Sequence, residues 1–81
     1  MTSETIATVR MWCRNGTARR LRLAAGLTLV DLGRDVGVSH VTIRAWERGE
    51  RVPTSANALR YAEVLQAATR AVMGAGDVGA A

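Results

Sequence analysis

An all-α fold, a compact bundle of four to five helices, is what this sequence predicts, on three observations. Apolar residues recur three and four apart along most of the chain, and no stretch alternates apolar and polar residues as a half-buried strand would. Gly16, Gly26, Gly37, Gly49 and Gly74 each follow such a segment, where a residue in the left-handed conformation ends a helix at no steric cost. Polar residues able to cap the next helix come soon after most of them: Thr17, Thr28, Ser39, then Thr54 and Ser55 behind Pro53.

The elements follow in order. A first helix near 5–14 gathers Ile6, Val9 and Cys13 on one face with Trp12 beside it, and a second near 17–25 gathers Ala18, Leu21 and Ala25. Thr28, with Asp31 three residues later, reads as a capping box that opens a third helix near 28–36. A fourth near 39–48 starts at Ser39 and turns Ile43 and Trp46 inward. The last, near 55–73, aligns Leu59, Ala62, Leu65 and Val72. Residues 74–81 are glycine-rich and weakly apolar, which predicts a flexible tail after a single domain over 1–73. The closing Ala80–Ala81 resembles a bacterial degradation tag, though alanine-rich composition explains it equally.

Composition narrows the function. A chain of 81 residues buries only about 60% of its unfolded surface, enough for one small core. The net charge of +4 points to a polyanionic partner. All eleven basic residues are arginine, whose planar fork suits phosphates and guanine edges; a GC-rich genome also favours arginine over lysine, but does not account for the net positive charge. A lone cysteine, Cys13, forms no internal disulfide and fits a reducing cytoplasm. One histidine and one cysteine fall short of the four ligands of a structural zinc site, so neither metal nor cofactor is expected. No apolar run approaches the roughly 20 residues that span a bilayer, and the first ten residues lack a signal peptide's basic start and apolar core. The expectation is a soluble, cytoplasmic protein. No Ser/His/acid, Cys/His or paired-carboxylate arrangement points to an enzyme.

The centre of the chain, residues 28–48, carries the most information. Leu32, Val36, Val38, Ile43 and Trp46 fall where two short helices joined by a three-residue turn would face each other. Gly37 would take the sharp turn. Gly33 would lie opposite the start of the second helix, where anything larger than alanine forces the pair apart. Two short helices crossing through a glycine turn make a helix-turn-helix. The run "LRLAAGLTLVDLGRDVGVSHVTIRAWERGERVP", followed by "TSANALRYAEVLQ", resembles the lambda-repressor-like (Cro/XRE) helix-turn-helix family over about residues 18–66.

That resemblance implies that residues 39–48 form a recognition helix that enters the major groove of double-stranded DNA. His40, Val41, Arg44 and Ala45 are then candidates for base contact: His40 and Arg44 to guanine N7 and O6, Val41 and Ala45 to thymine methyls. Each has a plainer reading, as a solvated or helix-filling residue, and Arg44 could equally neutralise a phosphate. Thr28, Ser39 and Thr42 are phosphate candidates that could instead serve only as caps. Arg48 and Arg51 flank the following loop, where family members grip the backbone. Arg19 and Arg20 belong to the acid-free basic run with Arg10 and Arg14, either a second phosphate clamp or a solvated face. The resemblance also implies a structural pair between Arg22 and Glu47. Leu29 and Glu50 depart from the family pattern, at positions where many members carry glutamine and a basic residue.

The resulting expectation is a sequence-specific, Cro-like or repressor-type transcriptional regulator, of phage or plasmid type, that binds an inverted-repeat operator as a homodimer at least when on DNA. Two readings stay open beside it. One is an excisionase-like or architectural DNA-binding factor, with a longer footprint over repeated sites. The other is an antitoxin or protein-interaction module, with Leu29, Val30 and the last helix making the contact.

Overall fold

The computed structural model describes residues 2–80, with side chains through residue 74. Five helices follow in order: α1 (Thr2–Asn15), α2 (Thr17–Ala24), α3 (Leu29–Val36), α4 (His40–Glu47) and α5 (Ser55–Ala80). No strand occurs among the described residues. The joints use the expected chemistry except at α2, where Thr17, expected as a cap, is the first helical residue behind Gly16 and Asn15 serves instead. Asn15 Oδ1 accepts from the Thr17 amide at 3.0 Å. At α3 the capping box is closed in both directions, the Asp31 amide donating to Thr28 Oγ1 and the Thr28 amide to Asp31 Oδ2. That hydrogen bond from Thr28 holds the Asp31 carboxyl below its ordinary range. Ser39 Oγ accepts from the Thr42 amide at the head of α4, and Thr54 Oγ1 from the Asn57 amide at the head of α5.

Two glycines shape the α3–α4 joint. Gly37 has φ 91°, and its amide and that of Val38 both donate to the Gly33 carbonyl, closing α3 in a left-handed cap. Gly33 is tighter than expected. A Cβ there would lie 2.7 Å from the Val38 carbonyl oxygen and 3.2 Å from the His40 amide nitrogen. The sequence reading allowed alanine at this site; the backbone of the turn leaves no room even for that.

The core is one cluster: Val9 and Cys13 from α1, Ala18 from α2, Leu32 and Val36 from α3, Ile43 and Trp46 from α4, and Ala58, Tyr61, Ala62 and Leu65 from α5. Burial raises the Cys13 thiol pKa to about 11. Trp46 and Tyr61 meet at 5.1 Å between ring centroids, a tilted geometry that aromatic pairs favour. Two details of α5 differ from expectation. Its buried face is Ala58, Tyr61, Ala62 and Leu65, while Leu59, about 100° around the helix from Ala58, is only half-buried and Val72 is 45% exposed. And Gly74 does not end the helix, whose backbone runs on to Ala80. The flexible tail expected over 74–81 falls, after Gly74, on side chains outside the described residues, as does the terminal Ala81.

Candidate nucleic-acid interface

Helix α4 divides cleanly into two faces because its apolar residues are spaced three apart. Ile43 is fully buried and Trp46 is 2% exposed, while Val38 packs half-buried against the core just before the helix. The opposite and leading faces carry His40, Val41, Arg44 and Arg48, all exposed, with Ala45 half-buried between them. Val41, 63% exposed, is the apolar member of this outer face.

Glu47 would place a negative charge next to this face were it not engaged. Arg22 Nε donates to Glu47 Oε2 at 2.6 Å and Arg22 Nη2 to Glu47 Oε1 at 3.0 Å, a bidentate fork, while Nη1 donates to the Leu27 carbonyl at 2.9 Å. The two side chains are 9% and 4% accessible. The hydrogen bond to Glu47 raises the Arg22 pKa further, so the guanidinium is permanently charged. One ion pair thus ties α2, the α2–α3 turn and the end of α4 together, and it cancels the acid.

With Glu47 neutralised, what surrounds it is basic. Arg19, Arg44 and Arg48 rim one depression whose floor is Arg22, Glu47 and Leu29. Leu29 therefore sits beside the arginines, offering apolar contact where a glutamine would offer hydrogen bonds. Arg51 lies apart, lining a groove with Thr42, Trp46 and Pro53 on the other side of α4. Arg20 is not brought into either group: its Nη2 donates to Thr17 Oγ1 at 3.1 Å, folding the side chain over the start of α2.

The hydroxyl candidates are committed as caps but keep a free function. Thr28 Oγ1 and Ser39 Oγ accept from backbone amides, and a hydroxyl that accepts retains its own proton to donate. At Ser39 and Thr42 one hydroxyl already donates to the other across 3.1 Å, which leaves one proton for an outside acceptor. Thr28 shares a recess with Leu29, Val30 and His40 at the leading edge of α4. Cationic and hydroxyl donors around the exposed face of α4, with apolar Val41 among them, suit an anionic surface with readable edges.

Three residues hold this arrangement from outside the motif, and sequence reasoning passed over two of them, Arg60 and Tyr61. Arg60 of α5 donates through Nη1 to the Val36 carbonyl at 3.1 Å, satisfying the end of α3. Tyr61 packs at a tilt against Trp46 behind the reading face. Arg10, read as part of a basic clamp, instead donates to the Pro53 carbonyl from Nε at 3.4 Å and Nη2 at 3.2 Å, tying α1 to the loop before α5. None has a local sequence signal, since the partners lie 15 to 43 positions away. No helix among the described residues is long and apolar enough to cross a membrane.

A family model described as helix-turn-helix matches residues 19–70, which takes in the Arg22–Glu47 pair, both helices of the motif and most of α5 up to Arg70. No curated protein and no solved structure matches the chain.

Proposed function

The chain belongs to the lambda-repressor-like (Cro/XRE) helix-turn-helix family, and from that premise we propose that it is a sequence-specific transcriptional regulator that reads an operator with α4. Membership makes it a DNA-binding regulator of the Cro/XRE type; the operator, the reading residues and the repressor role are our own assignment. The observation that carries it is the division of α4: Ile43 and Trp46 wholly inside, His40, Val41, Arg44 and Arg48 outside, with Glu47 cancelled by Arg22. In this reading Arg44 and His40 address guanine, Val41 and Ala45 pack on thymine methyls, and Arg19, Arg48 and Arg51 hold phosphates with the hydroxyls of Thr28, Ser39 and Thr42. Arg20 contributes charge from further back.

One such motif covers few base pairs, so tight binding calls for two subunits on half-sites about 34–36 Å apart. Selection from random duplexes, followed by footprinting at several salt concentrations, tests the whole assignment. It should return an inverted repeat and a steep loss of affinity with salt; a selection that enriches no sequence overturns it. One observation favours a second reading, a protein-interaction module: Leu23 and Val30, each 50% exposed, line the recess beside Leu29. Binding of a protein partner through that recess would depend little on salt.

A further inference from the structure

We propose that the reading face senses the methyl group on C5 of a pyrimidine beside a guanine, so that methylation of an operator cytosine strengthens binding. This rests on the operator reading and deepens it by naming what Val41 and Arg44 recognise together. Val41, Arg44, Ala45 and Arg48 follow one another at three- and four-residue steps and form one outward stripe of α4. Thr42 is turned away from that stripe, lining the groove with Trp46 and Arg51, its hydroxyl paired with that of Ser39. Val41 thus opens the stripe with two methyl groups and no polar side-chain atom. Arg44 follows with a fork that makes no hydrogen bond or ion pair among the described residues: the one acid of its helix, Glu47, gives both oxygens to Arg22.

The chemistry of base edges decides what this pair accepts. In the major groove the apolar group on offer is the C5 methyl of thymine, set among donors and acceptors. Valine laid against a bare cytosine or a purine edge takes a polar group out of water and returns no hydrogen bond. Arginine, bidentate to guanine O6 and N7, supplies the complementary half. Residues three apart on a helix have Cβ atoms about 5–6 Å apart. Helical side chains also lean toward the N-terminus, which brings the stem of Arg44 toward Val41. Stacked base pairs are about 3.4 Å apart, so the two side chains fall on neighbouring pairs. Thymine and 5-methylcytosine carry the methyl on the same ring carbon and differ in hydrogen-bonding groups that valine does not address. Val41 therefore reads the methyl and not the letter, and a cytosine in that place is accepted once methylated.

Fluorescence anisotropy on the operator recovered by selection from random duplexes tests this. In synthetic duplexes, each pyrimidine on a base pair adjoining a guanine is replaced singly by the matched sets thymine and uracil, and 5-methylcytosine and cytosine. Within each set only the methyl changes. At one such position per half-site the wild type should prefer the methylated member of both sets by about three- to fivefold, the worth of one buried methyl group. Val41→Ser should bring both ratios to about one, and circular dichroism confirms that this exposed variant folds. Replacing the adjoining guanine by adenine should penalise the wild type and leave Arg44→Ala unaffected. The proposal is overturned if the wild type binds both members of either set equally, if Val41→Ser keeps the preference, or if the guanine exchange costs Arg44→Ala as much as the wild type. Those results would leave the operator reading standing, because the selected duplex is still bound, whereas a selection that enriches no sequence sinks both.

Discussion

Removing Glu47 should unfold more of this protein than its position near the surface of a small domain suggests. Arg22 sends two of its three internal hydrogen bonds to Glu47, at 2.6 and 3.0 Å, inside a site where the two side chains are 9% and 4% accessible. Glu47→Ala leaves the guanidinium charged, because no accessible pH neutralises it, and strands two donors away from water. An uncompensated buried charge of this kind costs about 3–5 kcal/mol. At ~0.05–0.15 kcal/mol per residue, 81 residues yield a total stability of about 4–12 kcal/mol, so the loss is a quarter of the stability or more. Replacing both partners, Arg22→Met with Glu47→Leu, removes the stranded charge and should recover most of it. Urea unfolding, followed by far-ultraviolet circular dichroism, of the wild type, Arg22→Met, Glu47→Leu and the double variant gives the four corners of the cycle, with a coupling of about 2–3 kcal/mol expected between the sites. The double variant should nevertheless bind operator less well, since the fork sets the end of α4 against α2. A Glu47→Ala cost below about 1 kcal/mol, or additive effects within about 0.5 kcal/mol, would refute the reasoning.

The other expectations follow from the same geometry. Gly33→Ala should cost about 1–3 kcal/mol in chemical denaturation, since the new methyl meets the Val38 carbonyl at 2.7 Å and the turn must open. Arg44→Ala should lose about 1–3 kcal/mol on the best operator and relax preference at one base pair, whereas Arg51→Ala should weaken all sequences alike and flatten the salt slope. Tyr61→Phe should leave the fold intact and raise stability by about 1–2 kcal/mol, because the buried hydroxyl has no hydrogen-bond partner among the described residues; a destabilised variant in thermal melts would show that the hydroxyl is satisfied. Cys13, its thiol pushed up from 9.0 to about 11 by burial, favours the protonated form when folded. Its contribution is therefore whole below the ordinary thiol pKa and lost as pH climbs toward about 11. Melts from pH 8 upward should fall in that window, less so for Cys13→Ala, and iodoacetamide should label the native thiol far more slowly than the unfolded one.

The parts legible in the sequence are those fixed by local chemistry. A capping box at Thr28 and Asp31, a left-handed glycine at Gly37 and a Ser39 cap act over four residues or fewer, and Ile43 and Trp46 state the inward face of α4 by their spacing. Distance along the chain hid the rest. Arg10 to Pro53 and Arg60 to Val36 are contacts of the folded molecule, and an arginine carries no mark of which carbonyl it will find. Alanine-rich α5 tolerates more than one inward face: spacing alone places Leu59 on it, whereas Ala58 and Tyr61 turn inward where Trp46 supplies a ring for Tyr61 to meet. Gly33 was legible as small, but the missing room for a methyl is set by how closely two backbones approach.

The hydrogen bond from Arg60 to the Val36 carbonyl bears on anyone who would borrow this protein's specificity. The hinge of the motif is fastened by a residue some twenty positions downstream of it, so a synthetic peptide spanning 28–48 carries the letters of the reading surface without the clasp that aligns them. Transplanting His40, Val41, Arg44 and Ala45 onto another scaffold would transfer a preference only if that scaffold supplied its own equivalent fastening. The portable unit here is the domain from α1 through the middle of α5, not the two helices that give the motif its shape.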